Sequence, residues 1–395
     1  MKRVILLTAV TCLMLLLGFR LVYRIDEKTE QSNFIRIGFI YENDTSTPYT
    51  DNFAMAQNAL QRELQKKVEI LTCSNALGSE VEEPLREMIR KGCRIIFTNT
   101  TSQVFREIAS EYPEVDICQV AVEEAAVSGK PENYHTFSGR DYEGRYICGV
   151  VAGLKLREMI SAGKLTPEQA VAGYVGAFPI SEVNSGMTAF LLGIRSVVPQ
   201  ATLRVCYTGG WNNFNRERDC TKALIEEGCV VISQHTDTIG PAVACEQSGR
   251  EVYHIGYNKN MMEVAPSTAL VACRINWSPY IVGAVKAVME NRRIESVVSG
   301  KVHGNDICAG IDKGWVEVLE LNLSVAAEGS KQRIDELTEG FRRGHIPVFK
   351  GNYTGVNPSD PSDRVDLSKE YVECRDSSLC TFCYLLDEIM TVENL

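Results

Sequence analysis

The sequence predicts an α/β protein built of two doubly wound parallel-sheet lobes joined by a hinge. Short β-rich runs alternate with amphipathic segments over residues 35–122, a long helix rich in small residues follows at 142–156, and the alternation begins again at 171. Strand–helix–strand units with short connections imply a parallel sheet with helices on both faces. One such series followed by another describes two similar lobes rather than one large sheet.

Residues 35–41, Ile-Arg-Ile-Gly-Phe-Ile-Tyr, carry the apolar run of a strand covered on both faces. In 53–65, Phe53, Ala56, Leu60 and Leu64 fall at the spacing of one helix face. Strands at 68–71, 94–98 and 115–122 then alternate with helices at 81–91 and 103–111. After the 142–156 helix come strands at 171–175, 203–207, 230–233 and 252–255, separated by helices at 183–197, 216–227 and 241–248. Residues 270–275, a helix at 279–291 and later short strands have to pass back between the lobes. These assignments put 34–140 plus about 274–300 in lobe 1, and 141–273 plus about 301–360 in lobe 2, with 361–395 as a C-terminal tail.

The first residues are unlike the rest. Lys2 and Arg3 precede an apolar run at 4–19, broken only by Thr8, Thr11 and Gly18, which reads as a signal peptide or a retained membrane anchor over 1–25. No good small-x-small cleavage site follows, and Ala9-Val10-Thr11 before Cys12 suits lipoprotein processing poorly, so the anchor reading is favoured. A polar linker at 26–33 joins it to the globular part, which the two N-terminal cations place outside the cytoplasm.

A hydrophobic content of 45% and a charged content of 23% belong to a globular chain. A net charge of -10 leaves no basic excess to neutralise phosphates, so nucleic acid is not expected as a partner, and a neutral or cationic small ligand fits better. Fourteen cysteines in an exported chain suggest disulfides, yet Cys93, Cys118, Cys148 and Cys229 have apolar neighbours and read as small core residues. Cys380-Thr-Phe-Cys383, with Cys374 nearby, is a lone C-x-x-C, and without a second pair it predicts no metal site. No G-x-G-x-x-G follows the first strand, and no P-loop, H-E-x-x-H or nucleophile elbow occurs, so neither a cofactor nor catalysis is expected.

In open parallel sheets ligands bind at the carboxyl ends of the strands. The loops there are polar and aromatic: 42–50, 98–102, 177–182, 208–213, 234–238 and 257–260. Two such edges facing one another make a cleft.

Residues 138–153, Ser-Gly-Arg-Asp-Tyr-Glu-Gly-Arg-Tyr-Ile-Cys-Gly-Val-Val-Ala-Gly, resemble the crossover helix of the basic membrane protein family. These are substrate-binding proteins of ABC importers, related to bacterial purine nucleoside receptors. Collinear matches follow at 173–183 (Gly-Tyr-Val-Gly-Ala-Phe-Pro-Ile-Ser-Glu-Val), 234–237 (Gln-His-Thr-Asp), 255–257 (Ile-Gly-Tyr), 276–280 (Asn-Trp-Ser-Pro-Tyr) and 347–355, so the resemblance spans roughly 35–360. It implies a type I periplasmic-binding-protein fold, an ABC permease and ATPase as partners, and a purine base or nucleoside stacked between aromatic rings of opposite lobes. By motif position those rings are Tyr49 and Trp211.

Two departures bear on the ligand. Asn258 stands where family members often carry a carboxylate for ribose hydroxyls, and Asn213 likewise replaces a usual Asp. A neutral amide lacks the charge assistance that strengthens such hydrogen bonds, which favours a free base or another polar ligand. The residues expected at the ligand are Tyr49, Thr50, Thr98, Asn99, Glu182, Trp211, Asn213, Asp237, Asn258, Asn276 and Trp277. Glu182 would equally suit a helix start, and Trp277 would equally suit packing under the hinge. A membrane-anchored regulator or sensor of the same fold, not coupled to transport, is the competing expectation.

Overall fold

The computed structural model describes residues 34–121 and 129–393. The anchor expected at 1–25 and the linker at 26–33 lie outside these residues. Among the described residues no helix is long and apolar enough to cross a membrane.

The first lobe is built, in chain order, from β1 (Ile35–Ile40), α1 (Pro48–Leu64), β2 (Val68–Cys73), α2 (Glu82–Arg90), β3 (Cys93–Thr98), α3 (Val104–Glu111), β4 (Asp116–Val120) and β5 (Tyr134–Gly139). The strands pair in parallel in the order β2-β1-β3-β4-β5. Side chains on both faces of the central strands are buried, Ile37 and Phe39 on one side and Ile40 and Ile96 on the other, which is why these segments read as unbroken apolar runs. Helix α1 begins where Thr47 accepts a hydrogen bond from the Thr50 N–H and Pro48 sets the first turn.

Helix α4 (Asp141–Ser161) crosses to the second lobe, formed by β6 (Val171–Gly176), α5 (Ser181–Arg195), β7 (Thr202–Tyr207), α6 (Phe214–Glu226), β8 (Val231–His235), α7 (Gly240–Gln247), β9 (Tyr253–Tyr257) and β10 (Ala269–Ile275). Its parallel order is β7-β6-β8-β9-β10. The small residues of α4 let it press backbone to backbone on α5: a Cβ on Gly149 would lie 2.0 Å from the Phe190 carbonyl oxygen, and one on Gly193 2.2 Å from that of Tyr146.

The chain then returns. Helix α8 (Ser278–Met289) packs into the core of the first lobe. The sequence reading puts 301–309 in lobe 2, but β11 (Lys301–His303) and β12 (Asp306–Ala309) extend the first sheet, with Asp306 opposite Thr136 and Ala309 opposite Gly139 on β5. Backbone pairing at the open edge of β5 captures this short hairpin. β13 (Val316–Val318) lies antiparallel on β10, followed by α9 (Ser330–Arg342) and a small sheet of β14 (Thr354–Asn357), β15 (Asp360–Asp366) and β16 (Leu385–Leu386).

The C-terminal segment is not a free tail. β17 (Met390–Glu393) adds a parallel strand to β7, while the Ser378 N–H donates to Asp306 at 2.6 Å and Lys301 Nζ to the Cys374 carbonyl at 2.8 Å. It therefore touches strands of both lobes. Cys206 and Cys220 form a disulfide between β7 and α6, whereas Cys93, Cys118, Cys148 and Cys229 are free and buried.

Three segments join the lobes: 139–141, 275–278 and 309–316. They are tied together, because Glu143 accepts from the Ile311 N–H at 2.8 Å and Arg140 pairs with both Glu143 and Asp312. Burial pushes the Glu143 carboxyl up to about 7 even though Arg140 and the Ile311 N–H favour its charge. The folded protein thus keeps a proton that the unfolded chain releases near pH 4.5. The resulting stability is present below about pH 4.5 and lost as pH rises towards about 7, a contribution of about 3 kcal/mol. Glu143→Gln is expected to flatten the fall in melting temperature between about pH 5 and about pH 8. Superimposable pH profiles for the two proteins would contradict this.

Candidate ligand cleft between the lobes

A cavity of about 240 Å³ separates the carboxyl ends of the two sheets, far beyond the ~10–15 Å³ that one water needs. Lobe 1 lines it with Glu42 and Asn43 after β1, Tyr49 on α1, Leu77 after β2, and Asn99, Thr100 and Thr101 after β3. Lobe 2 supplies Glu182 on α5, Trp211 after β7, His235, Thr236 and Asp237 at the end of β8, and Tyr257 and Asn258 at the end of β9.

The wall from lobe 2 is aromatic. The Trp211 ring lies 5.7 Å from Phe178 and 6.0 Å from His235, and His235 lies 4.7 Å from Tyr257, all edge to face. Behind this wall the fully buried Arg145 of α4 places its guanidinium 3.4 Å from the Tyr257 ring centre and donates to the Gln234 carbonyl at 2.7 Å. Such a desolvated cation over a ring face is worth up to about 2 kcal/mol, and it fixes the ring that faces the cavity. Burial, and then the Arg145 charge, hold the His235 imidazole well below its usual range, so it is neutral at physiological pH.

Asp237 spans the gap. One carboxylate oxygen accepts from the Tyr49 N–H at 2.7 Å, and its own N–H donates to the Trp211 carbonyl at 2.7 Å. The Tyr49 N–H is one of the donors that the first turn of α1 leaves without an intrahelical partner, so a carboxylate from the opposite lobe caps it. Burial pushes the Asp237 carboxyl up to about 7. Glu182 sits at the start of α5, lines the cavity and has 40% of its side chain exposed. Burial and the nearby Asp141 raise its carboxyl to about 7.

Six of the eleven residues expected at a ligand line the cavity: Tyr49, Asn99, Glu182, Trp211, Asp237 and Asn258. Asn99 also accepts from the Glu42 N–H at 2.9 Å and so shapes the loop after β1. Asn258 adopts a left-handed backbone, φ 61°, which Asn tolerates better than most residues. The other five do not line it. Thr50 is buried inside α1, and the Thr98 hydroxyl is turned back to the Thr100 N–H. Asn213 caps α6, accepting from the Arg216 N–H at 3.1 Å. Asn276 binds the Gly314 carbonyl and Glu317 and so ties two lobe connections together, while Trp277 is packed against Phe53 and Phe137 in the lobe 1 core. The site also includes Glu42, Thr100, His235 and Tyr257, each within a loop that the sequence marks as polar or aromatic, and Leu77, which no sequence signal marks.

A family model described as ABC transporter substrate-binding protein, PnrA-like, matches residues 42–347. The chain belongs to this family. A purine-binding protein of Brucella abortus is 30% identical over 321 residues, covering 80% of this chain and 83% of its own. A Haloferax volcanii protein named provisionally as an ABC transporter glucose-binding protein is 32% identical over 245 residues, 62% of this chain and 56% of its own. The solved ABC transporter solute-binding protein of Aeropyrum pernix K1 superposes with a TM-score of 0.62 at 15% identity, over 83% of this chain and 95% of that one, and so shares the fold. The PnrA-like family consists of solute-binding proteins of ABC transporters rather than enzymes. Its type I periplasmic-binding architecture is the two-lobed arrangement described above.

Proposed function

We propose that the protein captures a purine base or nucleoside in the cavity between its lobes and presents it to an ABC permease and its ATPase. The observation that carries this reading is a single cavity lined by aromatic side chains of both lobes, Tyr49 from one and Trp211 and Tyr257 from the other. A planar ring held between such faces gains roughly 1–3 kcal/mol per stacking contact, and polar groups on the rims read its edges. The name of the Brucella relative is consistent with it. The neutral Asn258, in place of a carboxylate, favours a base over a nucleoside. The apolar run at 4–19 would tether the protein to the membrane with both lobes outside the cytoplasm.

The test is a thermal-shift screen of residues 34–395 against purine bases, nucleosides, glucose and other sugars. A ligand at about 100 times its Kd adds ~2.7 kcal/mol to stability. A purine is expected to raise the melting temperature by several degrees. A response to glucose with none to purines would overturn the purine assignment while leaving the family intact.

A further inference from the structure

Two carboxylates, one from each lobe, line the cavity with no protein donor to receive them. Glu42 comes from lobe 1 and Glu182 from lobe 2, and both line the cavity. Among the described residues neither has a hydrogen-bond donor; the nearest basic side chain to Glu182 is the neutral His235, with Nε2 3.9 Å away. Asp237 differs, since the Tyr49 N–H already occupies it. No Lys or Arg is among the described residues that line the cavity, and Arg145 lies behind the Tyr257 ring. A second observation points the same way. Thr100 lines the cavity, is 1% exposed, and its hydroxyl has no hydrogen-bond partner. A buried polar group is normally paired, and this one is left without a partner among the described residues.

We propose that Glu42 and Glu182 select for amino-substituted purines, whose exocyclic N–H groups supply the donors that both carboxylates lack. This rests on the purine reading above and narrows it. A carboxylate accepts only, so an amino group placed against it makes a charge-assisted hydrogen bond, whereas a carbonyl oxygen there opposes charge to partial charge. 2,6-Diaminopurine offers two amino groups. Xanthine presents carbonyl oxygens at the same ring positions. The two carboxylates stand on opposite lobes, so a donor-bearing molecule between them would favour a closed state over an open one.

The experiment titrates the full chain in detergent with 2,6-diaminopurine, adenine, hypoxanthine and xanthine by calorimetry, at about pH 8, above the value to which burial raises the Glu182 carboxyl. 2,6-Diaminopurine is expected to bind at least about 10-fold more tightly than hypoxanthine, which is likewise mostly neutral at this pH, with the difference shrinking severalfold in Glu42→Gln and in Glu182→Gln. Equal affinities across the series in the wild-type chain would overturn the selection by amino groups and leave the purine reading standing. So would a preference that survives in both variants. Binding of none of the four would remove both readings. The wild-type series decides the matter even if a variant folds poorly.

Discussion

Trp211→Ala is expected to weaken purine binding by roughly 10- to 100-fold while leaving the unliganded protein folded, the equivalent of one lost stacking contact of about 1–3 kcal/mol. The residue is suited to this test because it lies half-buried on the loop after β7, against Phe178 and His235, rather than inside a sheet. Truncation therefore removes a wall of the cavity and leaves the backbone that carries it, which Asp237 holds through the Trp211 carbonyl. Trp211→Phe is expected to restore most of the affinity. Calorimetric titration checks both. An alanine variant that binds purines as tightly as the wild type would remove Trp211 from the site.

Gly149→Ala is expected to be the most damaging single-methyl change in the molecule, costing about 3 kcal/mol or more in denaturant unfolding, at or above the upper end of ordinary overpacking. The added carbon would stand 2.0 Å from the Phe190 carbonyl oxygen and 2.9 Å from its carbon, and these are backbone atoms with no rotamer to change. Relief requires α4 and α5 to separate, which opens the core between the crossover helix and the second lobe. Gly210→Ala provides the control, since no heavy atom lies within 4 Å of its added carbon. Equal unfolding midpoints for the two variants would show that the helix contact is looser than described.

The two lobes were legible because parallel strands buried on both faces betray themselves as apolar runs, and because the alternation visibly restarts after α4. The cleft was legible for a related reason: in such sheets the loops after the strands converge, so polar and aromatic loops at those positions name the rim of the site. Sequence could not say which way each side chain turns. Asn213 and Glu182 both stand at helix starts with side-chain oxygens able to accept from the first turn, yet the one caps its own helix and the other faces the cavity. Asn276 and Trp277 carry a motif as distinctive as any in the chain, and they serve the connections and the core. The return of 301–309 to the first sheet rests on strands of three and four residues, too short to show a period. Leu77, 49% exposed on the cavity wall, follows β2 in a loop with no distinguishing composition.

The central claim is that a planar ring sits between the lobes at this cavity, and a crystal structure grown with 2,6-diaminopurine tests it most directly. The account predicts the ring in contact with both Tyr49 and Trp211, its amino groups turned to Glu42 and Glu182. A ring bound elsewhere on the protein, or a bound form in which the cavity is filled by the protein's own side chains, would contradict it.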